Sequence, residues 1–460
     1  MANTAIKYNN TYDVIIVGAG VAGIACAREL LRRGYKDFLC LEAMSEPGGR
    51  VKFNRKFGDI GGMCLHLPSK FLTIENLDEE FLEAADLIRF ARKNGFRFYR
   101  ESNTPKFRLY RNGQRVKPAL VNHAHSLINN AIKSNIAKIN NKEAPADMSL
   151  QEALAGLLDD DICRSLIRTV YSSADTGLDA GDISFVDYCN TIPSNPGLFP
   201  EDGMGNLLKA YARPVKNHIA LNKEVLRVEY ENGLYKVEYL DTETKDQQVL
   251  FAKVLVITVS IGVLQHWIRD RKIELPEEKV RAINNIQMGY LNKNILVMDE
   301  RFFTNNNIRN FTHINIRSNR LDRDASFLAA KMNGKYLLIN FVGGEQSLLY
   351  EKQGTAYARR DSLRILASAF GSDVYTFCLD SYLSRWSQHK YFYGAYSNAL
   401  KGNFSSRLEL SKPLARRLYR AGEEVRYNDT GISYHTHITG ALNSGFITAN
   451  NVIRDLETEY

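Results

Sequence analysis

Gly18, Gly20 and Gly23 stand in the spacing Gly-x-Gly-x-x-Gly, and Glu42 follows 19 residues after the last of them. These residue types at this spacing make a dinucleotide site. The first glycine forms a tight turn, the second lets backbone approach a pyrophosphate, and the third lets a helix pack close on a strand. The helix that opens there offers unpaired N–H groups and the positive end of its dipole to phosphate. Glu42 is placed to accept hydrogen bonds from both ribose hydroxyls. Its charge repels a 2′-phosphate, which argues against NADP and leaves FAD and NAD.

The elements that must hold these residues are legible around them. Asp13-Val-Ile-Ile-Val17 is an unbroken apolar run, the pattern of a strand buried on both faces. Ile24–Arg33 reads as a helix closed by Gly34, and Phe38–Leu41 as a second buried strand ending at Glu42. Together they form one β-α-β unit. Glycine-rich loops follow, from Gly48 to Gly62. Leu77, Phe81, Ala84 and Ile88 predict a helix over 77–92, with Asp78, Glu79 and Glu80 in its first turn. Residues 120–190 read as mostly helical, with a capping box at Ser149 and Glu152. Residues 219–258 read as strands with a hairpin at Asn232-Gly233, and 294–342 and 375–384 add strand-like runs. Helices are expected at 355–370, closed by Gly371, and from Gly440 to Leu456. No internal repeat is present. The fold class is α/β with a long insertion.

Composition narrows the partners. The chain has 460 residues, 44% hydrophobic and 24% charged, which excludes a disordered chain. Six cysteines with no CxxC or zinc spacing exclude a disulfide scaffold and predict free thiols and no metal site. The net charge is +8, but basic blocks such as Arg32-Arg33 and Arg416-Arg417 are short, so no nucleic-acid partner is expected. The longest apolar stretch, Val14–Ala27, is shorter than the roughly 20 residues of a membrane span. Met1–Asn10 is polar and Arg454–Tyr460 charged, so the expected localisation is cytoplasmic.

The segment Glu42-Ala-Met-Ser-Glu-Pro-Gly48-Gly49-Arg50 resembles the flavin-containing amine oxidase superfamily, which includes polyamine and monoamine oxidases. The resemblance continues in order at Asp59-Ile-Gly61-Gly62-Met-Cys-Leu-His66, at Val225–Tyr230 and at Met288–Leu296. It ends with Trp386–Tyr396, Ala421-Gly422-Glu423 and Gly440-Ala441-x-x-Ser444-Gly445. It implies FAD, with contacts from Gly18, Gly20, Ala22, Gly23, Glu42, Arg50, Gly61, Gly62, Val225, Glu423 and Ile438. It implies Lys293 as the active-site lysine, Tyr396 as an aromatic of the substrate cage, and His66 and His437 beside the substrate. The implied fold is a two-domain FAD-linked oxidase. Its Rossmann-like FAD domain is assembled from 1–71, 197–266 and 405–460. Its substrate domain, a mixed sheet with helices, takes 72–196 and 267–404.

The implied chemistry is oxidation of a small-molecule amine (polyamine, monoamine or amino acid) to an imine by hydride transfer to the flavin. O2 then reoxidises the flavin, giving hydrogen peroxide. Three departures qualify it. Ala395 stands where monoamine oxidases place the cysteine that bonds the flavin, so the FAD is expected to be non-covalent. Cys64 and Cys378 are the nearest thiols in sequence, and neither is at the linking position. His437 replaces the second cage tyrosine, and no arginine stands at the His66 position to hold an α-carboxylate. A flavin desaturase or isomerase of an apolar substrate shares the N-terminal motifs, and a scaffold without catalysis remains open. Oligomeric state is not readable.

Overall fold

In the computed structural model, which describes residues 10–66, 82–100, 106–191, 197–318, 323–426 and 434–458, the first motif sits at the centre of a sheet. β1 (Thr11–Val17) is buried along nearly its whole length. It pairs in parallel with β2 (Phe38–Leu41) on one side and with Gln247–Ile257 on the other. Ile219–Ala220 extends the sheet beyond β2, and Leu418–Arg420 pairs with Leu255–Ile257. Leu234–Asp241 and Lys223–Glu231 continue it as an antiparallel meander, giving seven strands. Asn232 and Gly233 both take positive φ, 50° and 84°, the backbone a two-residue hairpin turn requires.

Between β1 and β2, α1 (Val21–Arg32) starts inside the glycine motif. The apolar pattern places its start later, at Ile24, because Val21-Ala22-Gly23 reads as part of the glycine motif. Contact demands the last glycine: a Cβ on Gly23 would lie 2.0 Å from the Gly18 carbonyl oxygen. α1 packs with the long helix Ile438–Glu457 over one face of the sheet, burying Ile24, Leu30, Leu442 and Ala449. Helices Ile261–Arg269 and Glu277–Asn284 cover the other face, around Leu255, Leu264 and Ile283. These two helices, and Met204–Tyr211 and Gly344–Gln353, carry no signal that the sequence pattern had assigned.

A second seven-stranded sheet runs in the order Cys378–Leu383, Asn292–Met298, Lys335–Val342, Arg323–Met332, Thr312–Ser318, Lys106–Arg111, Gln114–Arg115. Its pairings are antiparallel except that between Thr312–Ser318 and Lys106–Arg111. Helix Thr355–Phe370 backs one face around Leu296, Phe302 and Leu366. The opposite face, with Ile295, Leu328 and Ile339, meets Met63 and Phe199. The helical block is as expected: Pro118–Asn140, Asp161–Arg168 and a π turn at Thr169–Ser173 gather around Ile128, Leu166 and Phe185. The Ser149–Glu152 capping box forms in both directions.

Two expectations change. The helix placed at 77–92 is described as Leu82–Lys93, and Leu77, Asp78, Glu79, Glu80 and Phe81 lie outside the described residues. The run at 375–384 begins with a helical turn, Val374–Phe377, before the strand Cys378–Leu383. Among the described residues no helix is long and apolar enough to cross a membrane.

Candidate active site

A cavity of about 1130 Å³ runs from the glycine motif to the face of the second sheet. At one end its wall is mostly backbone. Gly18, Gly20, Val21 and Ala22 line it, and helix geometry leaves the N–H groups of the first turn of α1 without intrahelical acceptors. Gly23 faces away from the cavity and into the packing against Gly18, as its role in close helix–strand contact requires. Glu42 closes the end of β2. Its carboxylate accepts from the Ala19 N–H at 2.7 Å and the Met44 N–H at 2.9 Å, so it braces the glycine loop as well as facing the cavity. Burial pushes the Glu42 carboxyl up, and those N–H groups oppose the rise. Val225 lines the same end, beside a bulge between Val225 and Arg227.

Midway, Arg50 and Glu423 join. Arg50 Nη1 donates to Glu423 Oε1 at 2.9 Å and to the Ala395 carbonyl at 2.8 Å. Ser397 donates to Glu423 through its N–H and its hydroxyl. Burial alone would raise the Glu423 carboxyl, yet Arg50 and Ser397 hold it below the ordinary carboxylate range. Behind it, the fully buried Arg407 bonds both Asp187 oxygens, at 2.6 and 2.9 Å. The sequence reading gave Arg50 and Glu423 separate contacts to a cofactor; the structure makes them one ion pair at the cavity wall.

The other end is aromatic and imidazole-rich. Lys293 reaches it from the strand Asn292–Met298, whose alternation sends Asn292 and Asn294 into hydrogen bonds with helices Gly344–Gln353 and Thr355–Phe370. Lys293 Nζ donates to the carbonyls of Gly61 at 2.5 Å and Asp59 at 3.2 Å. Burial lowers its ammonium to about 8, with Asp59 and Cys64 opposing. His66 and His437 meet edge to face at 4.8 Å. Burial, and then His66, lower His437 to about 3, so its imidazole is neutral. Gly62 lies under Ile438, the first residue of the last helix. Tyr396 lines the cavity from a short strand and donates its hydroxyl to the Asp175 carbonyl.

Lys293, Tyr396, His66 and His437 are therefore brought to one wall. Cys378 is not near them: it lies in the core beneath helix Thr355–Phe370, and the cavity's thiols are Cys64 and Cys189. Sequence reasoning missed Asp175, Tyr188 and Phe341, which line the same end. Asp175 and Tyr188 sit in the helical block, where no spacing marks them; only the fold brings them to the cavity.

The residues present fit a flavin dinucleotide. Polar N–H groups at a helix N-terminus, a carboxylate 19 residues on, and a cradle with no room for side chains lie along one cavity. At Gly61 a Cβ would sit 1.8 Å from the Arg50 carbonyl oxygen, so backbone alone can form that wall beside Lys293.

Comparison with known proteins agrees with this arrangement. Residues 21–453 match the flavin containing amine oxidoreductase family. Lysine-specific histone demethylase 1 homolog 2 of Oryza sativa subsp. japonica is 26% identical over 97% of this chain. The chain spans only 57% of that relative's length. Polyamine oxidase 5 of the same organism is 26% identical over 97% of this chain and 89% of its own length. Putrescine oxidase, solved bound to putrescine, superposes with a TM-score of 0.73 at 16% identity, over 96% of this chain and 99% of that one, a likeness of fold. By these matches and by its cavity, the chain belongs to the flavin-containing amine oxidoreductases, with FAD as its cofactor.

Proposed function

We propose that the protein oxidises an amine to an imine and passes the electrons to O2, releasing hydrogen peroxide. The observation that carries this reading is the buried Lys293 ammonium held on the Asp59 and Gly61 carbonyls, in the wall that also presents Tyr396 and His66. Bound FAD supplies the two-electron acceptor. Gly18, Gly20, Ala22, Glu42 and Val225 would hold its dinucleotide end, with Gly23 acting only by letting α1 pack close on the glycine turn. Arg50, Gly61, Gly62, Glu423 and Ile438 would hold the rest, without a covalent bond, since Ala395 has no thiol.

The chain's own residues then do three things. Tyr396 and the neutral His437 wall the substrate with apolar and uncharged groups, which favours the neutral amine over the ammonium. The aromatic lining excludes water from the reacting carbon. Lys293 sets a positive charge at the cavity wall, where it favours negative charge developing on dioxygen. A polyamine, an aromatic monoamine and an amino acid are the candidate substrates, in that order. The reading also divides the chain into a cofactor domain, 1–71, 197–266 and 405–460, and a substrate domain, 72–196 and 267–404. An anaerobic bleaching assay with a panel of these amines, followed by peroxide detection on admitting O2, tests the reading. Bleaching without peroxide would point to another electron acceptor, and no bleaching by any amine to a desaturase or an inactive scaffold.

A further inference from the structure

Six acids line the cavity, and five are held by a cation or by backbone N–H groups. Glu42 takes two backbone N–H groups, Asp187 takes Arg407, Glu224 takes Lys390 and Tyr391, Asp270 takes Arg269, and Glu423 takes Arg50 and Ser397. The sixth, Asp175, forms no salt bridge among the described residues. Its chain position is unusual: it follows the π turn Thr169–Ser173, a feature frequent at functional sites. It lies deep in the molecule, and its accessible surface is cavity surface, shared with Tyr396, Tyr188 and His66. The strand bearing Tyr396 anchors it, since the Tyr396 hydroxyl donates to the Asp175 carbonyl and leaves the carboxylate to the cavity side.

We propose that Asp175 is the proton acceptor for the incoming amine: it takes the proton of the alkylammonium at the Tyr396–His66 wall and delivers a neutral amine for oxidation. This rests on the amine reading above. One N–H bond of the ammonium breaks, its electron pair stays on nitrogen, and an O–H bond forms on the Asp175 carboxylate. No oxidant enters the step. Burial narrows the gap between the two groups, lowering an ammonium and raising a carboxyl. Asp175 itself is pushed up to about 6 by burial, with Tyr188 and His66 opposing. The groups that face it are Tyr188 from helix Phe185–Asn190, His66 from the strand Leu65–His66, Tyr171 from the π turn and Tyr396 from its strand. Burial raises the three tyrosines, so across the working range they stay neutral.

The test is anaerobic flavin bleaching by 1,4-diaminobutane and by benzylamine, followed from pH 5 to 10 on FAD-loaded enzyme. In the wild type the second-order bleaching rate falls on the acid side with a limb at about 6. Asp175→Asn loses that limb. Only amine already neutral in solution reacts, so its rate is about 10²-fold lower at neutral pH and climbs toward the amine's own pKa. Asp175→Glu keeps a carboxylate and restores an acid limb. Tyr188→Phe removes a hydroxyl that holds the carboxyl down, and moves the limb to higher pH. Retention of the wild-type limb in Asp175→Asn, or an unmoved limb in Tyr188→Phe, overturns the assignment, since a merely structural role changes rates without changing the profile. A wild type bleached by neither amine nor any other of the panel overturns the amine reading and this inference with it.

Discussion

The two ends of the cavity are built on opposite principles. At the glycine end the wall is backbone, and its charged groups are satisfied: Glu42 by two N–H groups, Glu423 by Arg50 and Ser397. At the Lys293 end the wall is side chain, and its titratable groups are displaced from their ordinary ranges by burial, Lys293 to about 8 and His437 to about 3. At the first end the paired charges and backbone N–H groups oppose the shift that burial imposes on Glu42 and Glu423. At the second, buried groups with shifted proton affinities give rates that depend on pH. Substitutions at the first end should therefore cost the cofactor, and substitutions at the second should cost turnover.

The largest effect is expected from Gly61→Val. Any Cβ there would lie 1.8 Å from the Arg50 carbonyl oxygen, against backbone that cannot yield. The expected outcome is protein without flavin absorbance, or no folded protein at all, measured by the visible spectrum and far-UV circular dichroism. A FAD-loaded Gly61→Val would mean that the close wall is not a requirement.

Arg407→Met comes next. It strands Asp187, whose carboxyl Arg407 and His435 hold well below the ordinary range against the pull of burial. Breaking a buried pair from one side costs about 3–5 kcal/mol, read as a drop in Tm, with partial loss of FAD through Ser397 and Glu423.

Lys293→Met keeps the volume and removes the charge. FAD should remain, and reoxidation by O2 should fall by ~10²–10³-fold in stopped flow, the usual scale for one electrostatic group. In the wild type the same step should slow as pH rises through about 8, because the ammonium is lost there, and the Met variant should lack that dependence. An unchanged reoxidation rate would return Lys293 to a strand residue without a role.

The smallest effect is the absence of one. Acid precipitation should leave all the FAD in the supernatant, since Ala395 offers no thiol. Yellow precipitate would expose a bond to Cys64 or Cys189, the thiols of the cavity.

The same contrast explains what the sequence made legible. Gly18, Gly20, Gly23 and Glu42 answer to local backbone demands, so their spacing alone announced the β-α-β unit and its purpose. Within that unit only the start of α1 was misplaced, because its first residues belong to the glycine motif. Lys293, Tyr396, His66 and His437 came from family resemblance, and the fold gathers all four. Asp175 and Tyr188 had neither spacing nor resemblance to mark them; a π turn and a short helix bring them to the cavity, and neither has a periodicity that sequence displays. The Arg50–Glu423 pair was missed for a related reason: its partners are remote in the chain, and nothing local to either names the other.

The helix Ile438–Glu457 binds both ends of this story together. Its Gly445 packs so closely on α1 that a Cβ would lie 2.2 Å from the Ala22 carbonyl oxygen, and its Thr439 hydroxyl donates to the His66 carbonyl. The helix Ile438–Glu457 therefore completes walls begun by β1 and α1, which are remote from it in the chain. Folding must close that long loop before the pocket exists, and contacts so remote in sequence form slowly. A flavin can therefore be held only once that loop has closed, so cofactor capture follows the docking of Ile438–Glu457 on α1.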